Sequence, residues 1–190
     1  MTKDESSIIG KLVKDMYGTI IGNVLGTLTH IDGNIQTVGI DCGSEGLKQI
    51  PYGQLVLQGD IVIYIPGWRI DAQKILREKR LTLTRLKALM GIISENDAVQ
   101  SDADIIHDTY KTKLVELDEA ESKVRDELLT RLDELDSQDK IIKVMLFDAK
   151  VQFKSQEISD SIFETIQKHC NNLLERSSHE RVEINNVQRR

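Results

Sequence analysis

The 190-residue chain has only two prolines, two cysteines and one tryptophan, and aromatic residues make up 4% of it. Each shortage excludes something. Cys42 and Cys170 stand far apart, without CxxC or Cys/His spacing, so both read as reduced thiols rather than a disulfide or a zinc site. His30, His107, His169 and His179 form neither HxxxH nor HExxH, so no metal and no cofactor are expected. A continuous apolar run long enough to span a bilayer is absent, and the opening MTKDESS lacks the charged-then-apolar pattern of a secretion signal. A soluble cytoplasmic protein is the expectation. No grouping of acid, base and nucleophile supports catalysis, so no enzyme activity is expected.

What is present is unevenly distributed. Eleven of the twelve glycines lie at or before Gly67, and the only prolines are Pro51 and Pro66. Beyond them Gly91 stands alone, which marks a change from turn-rich structure to long helix at Pro66-Gly67. Up to Gly67 there are 4 basic and 7 acidic residues, and after it 21 and 24, so neither part attracts nucleic acid by net charge.

Gly18, Gly22 and Gly26 recur at even intervals. No GK[ST] follows them, no GxGxxG is formed, and the flanking segment is too short and polar for packed membrane helices. β-Structure remains. Thr19-Ile20-Ile21 and Thr27-Leu28-Thr29 are rich in β-branched residues, Asp15 to Gly18 reads as a type I turn, and Asp32-Gly33 closes a hairpin onto Ile35 to Val38. Gly22 and Gly26, inside the strand run, predict bulges or bends. With Leu47 to Ile50 and Asp60 to Ile65 this makes five or six short strands, a pattern suited to a small closed or nearly closed barrel. Ile9-Gly10-Lys11-Leu12-Val13, Asp15-x-x-Gly18-x-x-Ile21-Gly22-x-Val24, Lys48-x-Ile50-Pro51 and Gly59-Asp60-x-Val62 resemble the PRC-barrel domain. That resemblance covers residues 8–66, after a disordered 1–7, and implies a docking module.

From Trp68 the apolar period becomes 3.6, through Ala72, Ile75/Leu76, Leu83, Leu86, Met90 and Ile93. Gly91 and the polar run that follows predict a break within 91–104. Tyr110, Leu114, Leu117, Val124, Leu128 and Leu135 then form a heptad series, the pattern of a coiled coil. Asp136 to Lys140 is wholly polar and predicts a stutter or turn, after which Ile142, Phe153, Ile162 and Ile166 resume. One helix over 102–177 would extend about 114 Å and could not bury its own stripe. Either a second copy covers it or the chain folds back near Asp136. Tyr110, Leu114, Leu117, Val124, Leu128, Leu135, Ile142, Phe153, Ile162 and Ile166 are therefore the self-association candidates. The fold class expected is α+β: a small barrel, a helical coiled-coil region over 68–177 and a flexible tail over 178–190.

Lys74, Arg77, Arg80, Arg85 and Lys87 lie in the first helical stretch among few acids. They fit either a solvated face or a surface for anionic lipid or nucleic-acid phosphate; the lack of interleaved aromatics argues against base stacking. In the tail, Val182 and Ile184 alternate with charge as a strand does, which suits a frayed end or an added edge strand.

A PRC-like domain joined directly to a coiled coil through PGWRIDAQKILREK (Pro66 to Lys79) resembles the archaeal cell division protein A (CdvA) family. The resemblance implies a homo-oligomer that polymerises into filaments at the division site, on the inner membrane face. It also implies recruitment of the ESCRT-III-like protein CdvB, peripheral and indirect membrane attachment, and association with DNA. Val182, Ile184 and Val187 are then the partner-binding candidates. Two other classes stay open: an RNA-binding or ribosome-maturation factor with a PRC-barrel, and an accessory subunit docking on an enzyme.

Overall fold

The computed structural model describes residues 8–95 and 100–189; the expected disorder of 1–7 lies outside them. The fold is α+β, and the chain divides into two compact units between Ile70 and Asp71.

The first unit holds strands β1 (Leu12–Asp15), β2 (Ile20–Thr29), β3 (Ile35–Asp41), β4 (Leu47–Pro51), β5 (Leu55–Gln58) and β6 (Ile61–Tyr64). The short Asp15–Thr19 connection makes β1 and β2 a hairpin. Asp15 Oδ1 accepts the N–H groups of Tyr17 (2.9 Å) and Thr19 (2.7 Å), and Gly18 takes φ +88°, which an L side chain resists. The order across the sheet is β4-β3-β2-β1-β6-β5, with β1 and β6 parallel and every other pair antiparallel. Period-2 alternation turns Val38 and Ile40 inward from β3, and Val13, Val24 and Val62 join them with Ile8 and Ile50 in one core.

The sheet is open, which corrects the expected closed or nearly closed barrel. β6 inserts beside β1 in the centre, which leaves the short β4 and β5 as the two edges, with no ladder between them. Bulges do occur near both strand glycines: the ladder to β3 shifts between Val24 and Gly26, and the ladder to β1 shifts where Val13 pairs with Gly22 but Lys14 pairs with Ile20. At Gly22 an added Cβ would fall 2.1 Å from the Asp41 carbonyl oxygen, so the backbones approach where only hydrogen fits. Gly22→Ala is expected to destabilise the first unit by about 1–3 kcal/mol through forced backbone movement, seen as an earlier thermal unfolding transition.

The helices are α1 (Gly67–Ser94), α2 (Gln100–Lys154) and α3 (Asp160–Gln188). α2, with 55 residues, is about 82 Å long and forms the spine of the second unit. Its N-terminal half carries α1: Lys79 Nζ lies 2.7 Å from both Asp118 and Glu121, and Lys113 Nζ lies 3.2 Å from Glu78. Its C-terminal half carries α3, folded back through Ser155–Ser159, where Gln156 takes φ +64° and the Ser159 hydroxyl caps α3 by accepting the N–H of Ile162.

Three expectations change here. The fold-back is at 155–159, not near Asp136, and 136–140 is unbroken helix. Its polar residues need no turn because Asp136 and Asp139 both pair with Arg181 of α3. The change of phase falls earlier: Val124, Leu128 and Leu132 follow one another by four and four, a stutter where the covering helix changes from α1 to α3. Finally, the tail is not flexible or strand-like, since α3 runs to Gln188.

On α1 the covered positions are Ile75, Thr82 and Leu89, spaced by seven, with Ala72, Leu86 and Ile93 half-buried along the same side. Leu83 and Met90, assigned to that stripe by a 3.6 period, are exposed. A seam that must keep facing one neighbouring helix follows 3.5 residues per turn, and the difference accumulates along the helix. The Thr82 hydroxyl is satisfied at 2.9 Å by the Glu78 carbonyl, so a polar residue is tolerated in the seam.

Candidate self-association face

The ten heptad candidates do not form a single exposed ridge. Leu117, Val124, Leu128 and Leu135 are buried, and Tyr110, Leu114, Ile142, Phe153 and Ile166 are half-buried, along the side of α2 and α3 that the chain itself covers. Phe153 stacks on Phe163 with centroids 4.8 Å apart. Ile162 is exposed, because Phe163 takes the inward position at the start of α3. Most of the residues chosen for contact between copies thus serve contact within one copy.

The hairpin of α2 and α3 is further locked by ions. Arg131 forks onto Glu180, with Nε–Oε1 at 2.7 Å and Nη2–Oε2 at 3.0 Å, and its Nη1 reaches Glu134 at 2.9 Å. The hydrogen bonds that Arg131 donates to the Glu180 carboxylate hold the guanidinium pKa above its ordinary value, against the opposing effect of burial. Arg181 bridges Asp136 and Asp139, and these hydrogen bonds also raise its pKa.

The tail candidates fare differently from one another. Ile184 is fully buried and Val187 half-buried, so neither is a free anchor, while Val182 is exposed on the outer side of α3. Strand-like alternation of Val182 and Ile184 was misleading over so short a stretch; three residues fit either period.

Lys74, Arg77, Arg80, Arg85 and Lys87 are all exposed on α1. Lys79, between them, is instead tied to α2, and the hydrogen bonds its ammonium donates to Asp118 and Glu121 raise its pKa.

Sequence reasoning missed a second face. Ile141, Val144, Met145, Phe147 and Val151 are 51–70% exposed on α2. At 100° per residue Ile141, Val144, Phe147 and Val151 lie across the helix from Leu135, Ile142, Leu146, Ala149 and Phe153, which face α3, and Met145 flanks that seam. The signal was available: IIKVMLFDAKVQF, Ile141 to Phe153, is apolar around most of the helix, and such a helix is ordinarily buried on all sides. Following one heptad line concealed the other.

Among the described residues no group of three His, Cys, Asp or Glu is placed to hold a metal ion, and no helix is long and apolar enough to cross a membrane. The family model for the CdvA-like coiled-coil domain matches residues 67–190, beginning at the first residue of α1. Cell division protein A of Sulfolobus acidocaldarius is 26% identical over 155 residues, which cover 82% of this chain and 65% of that protein. The alignment therefore spans just under two thirds of the relative's length. With the family match embracing α1, α2 and α3 and more than half of the sequence, the chain belongs to the CdvA-like coiled-coil family.

Proposed function

We propose that this protein is a non-enzymatic scaffold of cell division. Copies associate into filaments at the division site, on the cytoplasmic face of the membrane, and recruit ESCRT-III-like proteins such as CdvB. The division role is supported by family membership and by the name of the Sulfolobus relative. Self-association is carried by one observation: the exposed apolar face Ile141 to Val151, opposite the seam that α3 fills. Five large apolar side chains on one stretch of helix, left in water, favour a protein surface that covers them. The basic face of α1, from Lys74 to Lys87, is the counter-surface for anionic lipid or DNA, and Val182 is the exposed tail position available to a partner.

The test is sedimentation velocity with negative-stain microscopy on the purified chain. Concentration-dependent assembly is expected. Val144→Asp with Phe147→Asp should reduce it to monomer with an unchanged far-ultraviolet helical spectrum, because both positions are exposed within one copy. A parent chain that stays monomeric at high concentration refutes the scaffold; so does a double variant that assembles like the parent. RNA binding that weakens steeply with salt, without polymer, would favour the ribosome-maturation reading instead.

A further inference from the structure

The apolar face of α2 is continuous with a segregated charge pattern. Glu116 to Asp139 contains ten acids and three bases, whereas Lys140 to Lys154 contains four lysines and one acid. Several acids are already matched inside the chain: Asp118 and Glu121 hold Lys79, and Asp136 and Asp139 hold Arg181. Glu119, Asp126 and Asp133 are exposed, with no ion-pair partner among the described residues, and they recur every seven residues on one line. The same line continues through Lys140, Phe147 and Lys154, all exposed. One half of the line is acidic; the other is basic and apolar.

Two such helices laid parallel and in register set acid against acid and lysine against lysine. Turned antiparallel about a two-fold axis beside Asp136 and Ser137, each acidic half meets the basic half of the other helix. We propose that this face binds a second copy of the chain in that register, an inference that rests on the self-association proposed above. Glu119 then stands opposite Lys154 of the second copy, Asp133 opposite its Lys140, and Leu129 opposite its Val144. Symmetry makes every contact twice. Phe147 stands opposite Asp126 of the second copy, with Ser122 and Leu129 one turn to either side. Exposed ion pairs contribute only about 0.2–1 kcal/mol each, so the charges select register and direction while Leu129, Val144, Phe147 and Val151 supply most of the attraction.

The test is charge exchange in the full chain, read by sedimentation velocity, with helical content as the fold control. Lys140→Glu with Lys154→Glu makes the whole line acidic; Glu119→Lys with Asp133→Lys makes it basic. Each double variant should weaken pairing by about tenfold or more, from several lost pairs and new repulsions. An equimolar mixture of the two should pair again, and so should a single chain carrying all four changes. A Leu129→Cys chain mixed with a Val144→Cys chain should form a disulfide between copies under mild oxidation. Pairing by both double variants at parental strength overturns the register, as does failure of the mixture and the quadruple variant to recover. A parent chain that never self-associates removes the scaffold reading itself; an assembling parent indifferent to these exchanges removes only the antiparallel register.

Discussion

Replacing Arg131 with methionine is expected to destabilise the helical unit by about 2–3 kcal/mol, less than the loss of one member of a fully buried ion pair because the Arg131 side chain stays 36% exposed and solvent screens it. The Glu180 side chain is only 11% exposed, and both of its oxygens are bound by the Arg131 guanidinium. Methionine keeps most of the length and apolar stem of arginine, so the loss is chiefly that of a counter-charge for a carboxylate taken out of water. The compensating experiment separates charge from packing. Arg131→Met with Glu180→Leu removes both members and should recover most of the loss, because a buried pair as a whole contributes little compared with apolar residues of similar volume. Denaturant unfolding followed at 222 nm checks both variants. If Arg131→Met unfolds with the parental midpoint, the fork is not holding α3 to α2.

The second large effect lies in the stretch first read as a free tail. Ile184→Ala should cost about 2–5 kcal/mol, as expected for deletion of a fully buried branched side chain. Val182→Ala, two residues away and exposed, should change stability by no more than about 0.5 kcal/mol. Chemical denaturation of the two variants side by side makes the comparison. Equal and small effects would return residues 181–190 to the status of a loose terminus. The contrast also bears on partner binding, since truncation at Arg181 removes Ile184 and the bridge to Asp136 and Asp139 along with the proposed Val182 contact. Loss of a partner after truncation would therefore report unfolding as readily as a missing motif, whereas Val182→Asp tests the contact alone.

Parts of this architecture were legible in the residues. The turn at Asp15 to Gly18 follows from a side chain that bonds its own backbone and a glycine that tolerates positive φ, both local facts. Inward alternation along β3 and the helical start after Pro66 are equally local. The covered series on α2 was recognised position by position, from Leu117 to Leu135, because burial imposes a period whatever does the burying. What covers it was not in the period. A second helix from the same chain and a helix from another copy demand the same apolar spacing.

Contacts between distant parts of the chain explain the remaining departures. Asp136 to Lys140 looks like a break only while Asp136 and Asp139 lack a visible partner, and that partner, Arg181, is more than forty residues away in the chain. Val182 and Ile184 look like a strand until Ile184 is seen buried in α3. β6 pairs with β1 rather than closing the sheet, a choice among strands of similar composition that depends on where the connections let them lie.

The sequence by itself determined two regimes, turn-rich strands and then long amphipathic helix, because glycine, proline and apolar period act within a few residues. Tertiary structure alone decided that the sheet stays open, that α1 and α3 share α2 between them, and that a second apolar face is left over at Ile141 to Val151. The reason is physical: a periodic pattern states that a face must leave water, and only the packed chain shows which surface takes it.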